Sequence, residues 1–434
     1  MADNRNIVLS AKDIEVKFRV RDNYLTAIRG VSLDLYEGET FAIVGESGSG
    51  KSVFTKTFTG MLESNGSITN GSVMFEGKDL TKLKTDKDWE GIRGAKISTI
   101  FQDPMTCMNP TTQVGKQIVE SIKLHRHLSR QEAKEEAIKC LKQVNIPNPE
   151  ERAKQYPHEF SGGMRQRIVI ATAIAADPEV LICDEPTTAL DVTLQAQILR
   201  LLRDIQRSMG LSVIFITHDL GVVANIADRV AVMYAGEIIE TGPTEEVFSC
   251  PVHPYTRALL RALPQLGVKG QALFAIPGTP PNLYNDIQGD AFYPRNPEAM
   301  EIDRLEEPPM FSVSPGHTAK TWTMHPMAIQ KWGDPRNYRT PGLGRAPAAP
   351  EPYAPRSDEP LLSVRDLSID FGSGKKVFHA VNGVSFDVYR GETFSLVGES
   401  GSGKTTIGRA IMKIIPTAGG EILYKGTRVN RRFS

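Results

Sequence analysis

Gly45-Glu-Ser-Gly-Ser-Gly-Lys-Ser52 fits the pattern G-x-x-x-x-G-K-[ST], which is typical of a phosphate-binding loop, or P-loop. The apolar run Thr40–Val44 comes directly before it and predicts a buried strand, and the segment after Lys51 predicts a helix. Glycine lets the backbone curve into a concave loop whose N–H groups point at phosphate oxygens. This order of elements therefore predicts an α/β fold with a nucleotide-binding turn.

The side chains of this loop suit a nucleotide and a metal ion. Lys51 is placed to reach the β and γ phosphates, and the Ser52 hydroxyl can bind Mg²⁺. The N-terminus of the following helix adds the positive end of its dipole. An ordinary Gly/Ser loop is the alternative, which the flanking strand and helix disfavour. The predicted nucleotide-binding residues of the loop are Gly45, Glu46, Ser47, Gly48, Ser49, Gly50, Lys51, Ser52 and Val53.

Two acidic residues follow a second apolar strand. The run Val180–Cys183 is short and apolar, and Asp184 and Glu185 come directly after it. In a nucleotide-hydrolysing site the first acid would hold the Mg²⁺ shell, and the second would polarise the attacking water. A pair of acids that only caps the strand end is the alternative.

A third motif, Phe160-Ser-Gly-Gly-Met164, precedes an Ala/Ile-rich segment that suits a helix. Unpaired backbone N–H groups at a helix start favour an anion, so the motif predicts a second phosphate site. A plain helix N-cap is the alternative. Ser161 lies 23 residues before Asp184 on a chain with a P-loop, and this arrangement favours the phosphate site.

The spacing of apolar residues predicts an α/β core with a parallel sheet. Val180–Cys183 and Val213–Thr217 are short, β-branched and apolar, as buried parallel strands are. Gln131–Val144 has apolar and charged residues at helical spacing. Strands that alternate with helices favour this fold class.

An internal repeat divides the chain. Val31–Lys51 and Val384–Lys404 are identical at 16 of 21 positions, at a constant offset of 353. The second copy has its own P-loop, but only 30 residues follow Lys404. We therefore predict two homologous units, of which the second is truncated. Its candidate nucleotide-binding residues are Gly398, Gly403, Lys404 and Thr405.

Composition limits the classes of function. The 434 residues include 51 Lys and Arg and 51 Asp and Glu, so no net charge indicates a nucleic-acid partner. No apolar run approaches the roughly 20 residues of a membrane span, and the N-terminus does not resemble a signal peptide. A membrane role is therefore expected to depend on partner subunits. The four cysteines form no metal-binding spacing, and reduced thiols are expected at Cys107, Cys140, Cys183 and Cys250.

Together these motifs resemble the ATP-binding cassette (ABC) family over residues 7 to about 250. The resemblance implies a P-loop NTPase fold with a RecA-like parallel core, an N-terminal antiparallel β part and a helical signature subdomain. It also implies hydrolysis of ATP with Mg²⁺. Two such units bind head to tail, so that each ATP lies between the P-loop of one unit and the signature of the other.

The resemblance implies roles for further residues. Phe18 would stack on adenine, with Tyr24 as the alternative. Gln102 would be the Q-loop residue that touches Mg²⁺ or water and meets the membrane subunit. His218 would contact the γ-phosphate, and Asp191 would belong to the D-loop, Ala189–Asp191. The implied signature residues are Ser161, Gly162, Gly163 and Met164, and the implied metal ligands are Ser52, Gln102 and Asp184.

Flanking segments narrow the resemblance. Tyr156-Pro-His-Glu-Phe and His253-Pro-Tyr-Thr-Arg-Ala-Leu-Leu are similar to the ATPase subunits of oligopeptide and dipeptide importers, a group that includes nickel importers. This implies a sister ATPase subunit in a head-to-tail heterodimer, two integral membrane permease subunits, an extracytoplasmic substrate-binding protein and no nucleic acid. It also implies a peripheral location at the cytoplasmic face of the cell membrane. Peptide and nickel remain alternative substrates.

The C-terminal tail departs from many of these relatives, whose tails carry four cysteines spaced as iron–sulfur ligands. The matching residues here are Asp290, Asn296, Asp303 and Thr321. Thiolates hold such clusters, so no iron–sulfur cluster is expected.

Four segments are predicted: a complete ABC ATP-binding domain at 1–265, a C-terminal extension at 266–333, a Pro/Gly/Ala-rich linker at 334–360 and a truncated second domain at 361–434. The last resembles the opening of the sister ATPase and contains no later ABC motif. It is expected to be partly disordered or loosely docked, and to bind ATP weakly, because half a sheet buries little apolar surface. A composite site with the first unit's signature is the alternative.

Two other classes of function compete with the importer ATPase. A soluble ABC protein that acts on ribosomes or DNA is disfavoured, because the chain has neither a basic bias nor a coiled-coil insertion. A non-catalytic regulatory subunit is disfavoured, because Glu185 and His218 are both present.

Overall fold

The computed structural model describes residues 6–188, 190–263, 274–341, 359–372, 377–399 and 401–430. By its internal contacts the chain divides into two units, made of residues 1–190 with 194–345 and of residues 191–193 with 346–434. Ala189 of the predicted D-loop and most of the predicted linker lie outside the described residues.

Twelve strands belong to the described part of the first unit. They are β1 (Ile7–Val20), β2 (Asn23–Tyr36), β3 (Thr40–Val44), β4 (Gly66–Phe75), β5 (Lys78–Asp79), β6 (Ile97–Ile100), β7 (Val180–Asp184), β8 (Ser212–Ile216), β9 (Arg229–Tyr234), β10 (Glu237–Pro243), β11 (Met310–Ser314) and β12 (His317–Lys320).

The α-helices that accompany these strands are mostly short. They are α1 (Lys51–Lys56), α2 (Asp86–Trp89), α3 (Pro104–Cys107), α4 (Val114–His125), α5 (Arg130–Gln143), α6 (Pro149–Arg152), α7 (Gly162–Ile174), α8 (Val192–Met209), α9 (Leu220–Ile226), α10 (Thr244–Ser249), α11 (Pro254–Arg261), α12 (Glu301–Leu305) and α13 (Pro326–Trp332). Within the ranges that the structure describes, no helix is long and apolar enough to cross a bilayer.

An eight-stranded sheet in the order β11-β12-β10-β9-β3-β8-β7-β6 forms the core of the first unit. The strands from β9 to β6 pair in parallel, whereas β10, β12 and β11 are added antiparallel. All five residues of β3 are buried, as expected of a strand covered on both faces. The predicted strands Val180–Cys183 and Val213–Thr217 are confirmed as β7 and β8, with bounds that differ by one residue.

Helices α4, α5 and α7 pack together as a helical subdomain. Helix α5 begins at a capping box, in which Ser129 Oγ accepts from the Glu132 N–H at 3.3 Å and Glu132 Oε2 accepts from the Ser129 N–H at 2.8 Å. Its buried residues are Ala133, Ala137, Cys140 and Leu141, which lie on one face. The predicted helix is confirmed, and the capping box explains why it begins one residue earlier.

A separate antiparallel sheet, in the order β2-β1-β4-β5, precedes the helical subdomain in the chain. Alternate residues of β1, among them Ile14, Val16 and Phe18, are buried in a hydrophobic core that also contains Phe54 of α1. Burial of one sheet face against the P-loop helix explains the period-two pattern of this segment. It also confirms the N-terminal antiparallel part that the ABC resemblance implies.

The C-terminal tail continues the central sheet through β11 and β12, which the sequence analysis did not predict. His317 of β12 is fully buried, and its Nε2 lies 2.9 Å from Glu240 Oε1 of β10. Glu240 also accepts hydrogen bonds from the backbone N–H groups of Val252 and His253. Burial opposes protonation of His317, but the hydrogen bond and charge of Glu240, with the charge of Glu246, raise its pKa. A buried, charge-assisted hydrogen bond therefore docks the tail on the core.

The second unit contains β13 (Pro360–Phe371), β14 (Phe378–Tyr389), α14 (Lys404–Ile411), β15 (Gly419–Tyr424) and β16 (Thr427–Arg428), with an antiparallel sheet in the order β14-β13-β15-β16. Residues 393–397 match β3 of the first unit but form no strand. Val397 is 86% exposed, whereas Val44 at the matching position is fully buried. Among the described residues of this unit, no parallel strand is present to pair with 393–397, and this explains why the repeat does not reproduce β3.

Candidate nucleotide-hydrolysis site

The P-loop connects β3 to α1 at the carboxyl end of the central sheet. Gly45 has φ 151° and Gly50 has φ 101°, which L-residues with side chains rarely adopt. A Cβ at Gly45 would overlap the backbone carbonyl of Met233, and one at Gly50 would lie 2.9 Å from the carbonyl oxygen of Ala27. Both positions therefore require glycine for this loop shape.

Lys51 is folded back into the loop. Its Nζ donates to the carbonyl oxygens of Gly45 and Glu46, both at 2.9 Å, and the residue is only 6% exposed. Burial lowers the pKa of Lys51, while the charges of Glu185, Asp184 and Glu46 act in the opposite direction. A buried ammonium whose hydrogen bonds go to neutral carbonyl groups favours an anionic ligand, because an anion offsets the cost of desolvation.

Ser52 and Asp184 place two oxygen atoms side by side. Ser52 Oγ donates to Asp184 Oδ1 at 2.9 Å, across 132 residues of chain. Burial raises the pKa of Asp184, against the hydrogen bond from Ser52. A divalent cation beside this carboxylate would favour its charged form, and hydroxyl and carboxylate oxygens are ligands that suit Mg²⁺. The two residues therefore fit the predicted metal site.

Glu185 is the centre of a hydrogen-bond cluster at the end of β7. Its Oε2 accepts from Gln102 Nε2 at 3.1 Å and from Thr188 Oγ1 at 2.9 Å, and its Oε1 lies 3.2 Å from His218 Nδ1. The backbone has φ 48°, a left-handed conformation that directs the residue out of the strand. Because the ends of β6, β7 and β8 lie at one edge of the parallel sheet, the Q-loop glutamine, the acid and the histidine meet. This arrangement suits a carboxylate that orients an attacking water.

The two candidates for the adenine contact, Phe18 and Tyr24, differ in exposure. Phe18 lies on the buried face of β1 and is 8% exposed, with the Phe18 ring packed close to Gly66. Tyr24 lies at the start of β2, next to the turn that joins it to β1, and is 58% exposed. Of the two rings, that of Tyr24 is the more accessible to a base, so burial favours Tyr24, the alternative, and the contact stays a prediction. In the sequence, apolar Ile14, Val16 and Phe18 alternate with charged residues, and this pattern is the signal for the burial.

The signature motif begins α7. Ser161 is the N-cap, and its Oγ accepts from the Met164 N–H at 3.4 Å. Ser161 and Gly162 are exposed, whereas Gly163 is buried and a Cβ there would lie 2.9 Å from Leu194 Cδ2. Within the described residues, no hydrogen bond joins these residues to the Glu185 cluster. Asp191 comes directly before α8. Its role in the D-loop stays a prediction.

The second P-loop repeats the local contacts of the first. Lys404 Nζ donates to the carbonyl oxygens of Gly398 at 2.7 Å and Glu399 at 2.5 Å. Gly403 has φ 89°, like its counterpart Gly50, and Thr405 is exposed. In the described part of the second unit, no carboxylate hydrogen-bonds Thr405 as Asp184 does Ser52. The loop geometry is therefore present without the acid pair.

Two residues of the C-terminal region of the first unit, which follows β10, contact the P-loop and were not predicted as site residues. Arg295 forms an ion pair with Glu46, and the Tyr255 hydroxyl accepts from the Glu46 N–H at 3.0 Å. Tyr255 lies in the His-Pro-Tyr segment that resembles the importer ATPases. That resemblance is the sequence signal that could have identified it as a site residue. For Arg295 the sequence holds no local signal, because it lies 249 residues from its partner.

Asp290 begins the turn that carries Arg295, and it is 7% exposed. Burial raises its pKa to about 7, the neighbouring Asp303 adds to this effect, and the Phe292 N–H donated to its carboxylate opposes it. The folded protein keeps the proton while the unfolded chain loses it above about pH 4, so stability is expected to fall as pH rises from about 4 to about 7. Asparagine has no proton to lose, so the substitution Asp290→Asn removes this loss of stability.

Asp290→Asn is therefore expected to raise the melting temperature at about pH 8 by at least about 3 °C, and by less at about pH 5. Thermal unfolding at both values tests this. Asp286→Asn, which alters an exposed acid of the same tail, is the control and should leave the melting temperature unchanged at both pH values. An equal shift of Asp290→Asn at both pH values would contradict the assignment.

Comparison with known proteins agrees with this site. Residues 28–188 and 381–433 match the ABC transporter family, and residues 239–302 match the C-terminal region of the oligopeptide/dipeptide transporter family. The chain is 60% identical over 325 residues to the oligopeptide transport ATP-binding protein AmiE of Streptococcus pneumoniae, covering 75% of this chain and 92% of that protein. It is 54% identical over 323 residues to the oligopeptide transport ATP-binding protein OppD of Bacillus subtilis, covering 74% and 90%.

A longer match reaches into the second unit. The glutathione import ATP-binding protein GsiA of Shigella dysenteriae is 43% identical over 436 residues, covering 98% of this chain and 61% of that protein. The fold, the site and these matches define an ATP-binding, ATP-hydrolysing protein of the ABC transporter family. Within that family the chain belongs to the ATP-binding proteins of oligopeptide and dipeptide transport, because relatives of that group are 52% to 60% identical.

Proposed function

We propose that this protein hydrolyses ATP to power an ABC importer for oligopeptides or dipeptides. The observation that supports hydrolysis is the convergence of Lys51, the Ser52–Asp184 pair and the Glu185–His218 pair at one edge of the sheet. Peptide as the substrate is supported by the relatives, which are named for oligopeptide and dipeptide transport. Nickel has no comparable support among these matches.

We propose the following division of labour at the site. The loop N–H groups and Lys51 would bind the phosphates, and Ser52 and Asp184 would hold Mg²⁺, which would neutralise charge on the phosphates. Glu185 accepts a proton from the attacking water. Gln102 and His218 hydrogen-bond Glu185 and orient it. Metal contact by Gln102 and a D-loop role for Asp191 remain proposals.

We also propose a head-to-tail heterodimer with a sister ATPase subunit. Ser161 and Gly162 are exposed at the start of α7, so a nucleotide on a partner can reach their backbone N–H groups. Two integral membrane permease subunits and an extracytoplasmic substrate-binding protein complete the proposed transporter, with no nucleic acid. The protein would then lie at the cytoplasmic face of the membrane.

The predicted segments 1–265, 266–333, 334–360 and 361–434 stay a proposal. Contacts of β12 with β10 and of Arg295 with the P-loop support treating the first two as one folded body. The absence of an iron–sulfur cluster also stays a prediction, supported by the lack of thiols at the four matching positions.

Tyr24→Ala is expected to raise the KM for ATP about tenfold with little change in kcat, because base–aromatic stacking contributes about 1 to 3 kcal/mol. Tyr24→Phe keeps the ring and should behave as wild type. Phe18→Leu, which alters the core position, should lower thermal stability without a specific effect on KM. ATPase kinetics over a range of ATP concentrations test this, and an unchanged KM for Tyr24→Ala would refute the proposed base contact.

Co-purification from detergent-solubilised membranes tests the transporter assignment. A tagged full-length chain should retain integral membrane partners and a second ATPase. The ATPase rate of the purified complex, supplied with its substrate-binding protein, should rise with added oligopeptide and not with Ni²⁺. Recovery of only soluble partners, or stimulation by Ni²⁺ alone, would overturn the proposal.

A further inference from the structure

Glu46, the second residue of the P-loop, is paired with a residue from the far end of the first unit. Arg295 Nη1 donates to Glu46 Oε2 at 2.7 Å, and Arg295 Nη2 donates to Glu46 Oε1 at 3.0 Å. Two parallel charge-assisted hydrogen bonds form the bidentate geometry in which a guanidinium binds a carboxylate most specifically. The chain segment between the two residues contains every motif of the hydrolysis site.

Arg295 is held rigidly for this contact. It is only 5% exposed, its Nε donates to the Pro277 carbonyl oxygen at 2.7 Å, and its Nη1 lies 3.3 Å from the Tyr234 hydroxyl. Its guanidinium also lies 5.7 Å from the centre of the Tyr234 ring. A guanidinium with fixed partners on both sides loses little further entropy when it binds Glu46.

The backbone of Glu46 is fixed as well as its side chain. The fully buried Tyr255 accepts a hydrogen bond from the Glu46 N–H, and the Glu46 carbonyl oxygen accepts one from Lys51 Nζ at 2.9 Å. The C-terminal region of the first unit therefore holds the same peptide segment that orients the phosphate-binding lysine.

Because Glu46 is negatively charged, its contact with Arg295 can affect the binding of ATP. Glu46 lies in the P-loop itself, and its carbonyl oxygen is 2.9 Å from Lys51 Nζ, so the residue is close to where the phosphates bind. An unpaired carboxylate there would repel the triphosphate, and Arg295 neutralises it.

We propose that Arg295 and Tyr255 are positioning residues for ATP binding, through which the C-terminal region controls the shape and charge of the P-loop. The proposal deepens the proposed function, because it assigns control of the same nucleotide site. Docking of the C-terminal region and nucleotide affinity are then linked. A change that releases the region leaves a negative charge beside the phosphates and lowers the affinity for ATP. Conversely, bound nucleotide favours the docked region.

The test is equilibrium binding of MgATP to the purified full-length chain. Arg295→Gln should weaken binding at least about tenfold, because Glu46 loses its partner. Glu46→Gln combined with Arg295→Gln should restore binding to within about threefold of wild type, because the repelling charge is then gone. Lower ionic strength should enlarge the defect of Arg295→Gln and not that of the double variant.

Arg257→Gln is the matched control. Arg257 is a buried arginine of the same region, bonded to Glu298 and to the carbonyl oxygens of Pro251 and Pro335, and without a contact to the P-loop in the described residues. Its loss should lower thermal stability and leave ATP affinity within about twofold. If Arg295→Gln fails to fold, Tyr255→Phe, which keeps the ring and removes the hydroxyl that accepts from the Glu46 N–H, should weaken binding.

Three results would overturn the proposal: ATP affinity of Arg295→Gln within twofold of wild type, a double variant no better than Arg295→Gln, or an equal loss in Arg257→Gln. If Arg295→Gln is insoluble, normal affinity of Tyr255→Phe would overturn it too. Failure of the wild-type chain to bind MgATP would instead refute the proposed function, so the two failures are distinguishable.

Discussion

Replacement of Glu185 by glutamine is expected to reduce steady-state ATP hydrolysis about 10²- to 10⁴-fold and to leave ATP binding intact. Glutamine has the same shape and keeps an oxygen for the hydrogen bonds from Gln102 and Thr188. It cannot accept a proton from water. Binding depends on the P-loop, which the substitution does not touch.

Phosphate release by the assembled transporter measures this effect. Glu179→Gln is the control, because Glu179 lies at the opposite end of β7 and pairs with Lys96 on the surface. The control should hydrolyse ATP at the wild-type rate. If Glu185→Gln also stays within a few-fold of wild type, another group is the base.

Lys51→Ala and Lys404→Ala are expected to differ sharply although the two loops have the same local sequence. Loss of Lys51 removes a charged hydrogen-bond donor from the phosphates, which corresponds to about 10- to 100-fold weaker binding. Lys51 begins α1, next to Ser52, which bonds Asp184, and its loop follows the buried parallel strand β3. Lys404 lies in a unit in which residues 393–397, directly before its loop, form no strand and Val397 is 86% exposed. Its loss should leave ATPase activity nearly unchanged.

Nucleotide binding and ATPase activity of both variants, each with the sister subunit supplied, decide between two hypotheses. A large loss with Lys51→Ala alone supports a single nucleotide site in the first unit. Equal losses would support the alternative, a composite site that the second P-loop forms with residues 161–164.

The parts of this protein that the sequence predicts are those set by short-range patterns. The P-loop, β3 and the acid pair after β7 depend on a few adjacent residues, and α5 depends on a capping box and helical spacing. The sequence also indicates that the side chains after these strands lie together, because the carboxyl ends of parallel strands meet at one edge of the sheet. Gln102, Glu185 and His218 could therefore be expected to lie together before any coordinates were known.

Long-range pairing explains what the sequence did not predict. Strands β11 and β12 are short and only partly buried, so their apolar spacing is weak, and His317 finds Glu240 only in the folded sheet. Arg295 meets Glu46 for the same reason. The adenine contact stays a prediction with two candidates: the family resemblance points to Phe18, whereas the alternation along β1 places that ring in the core and favours Tyr24.

ATP-dependent uptake of a labelled oligopeptide into vesicles tests the central claim most directly. The vesicles would contain the permease subunits, the sister ATPase and this chain, with the substrate-binding protein supplied outside and MgATP inside. Wild-type protein should accumulate the peptide, and Glu185→Gln should reduce uptake at least about 10²-fold, in proportion to its hydrolysis rate. Peptide accumulation that continues unchanged with Glu185→Gln, or that needs no ATP, would contradict the account.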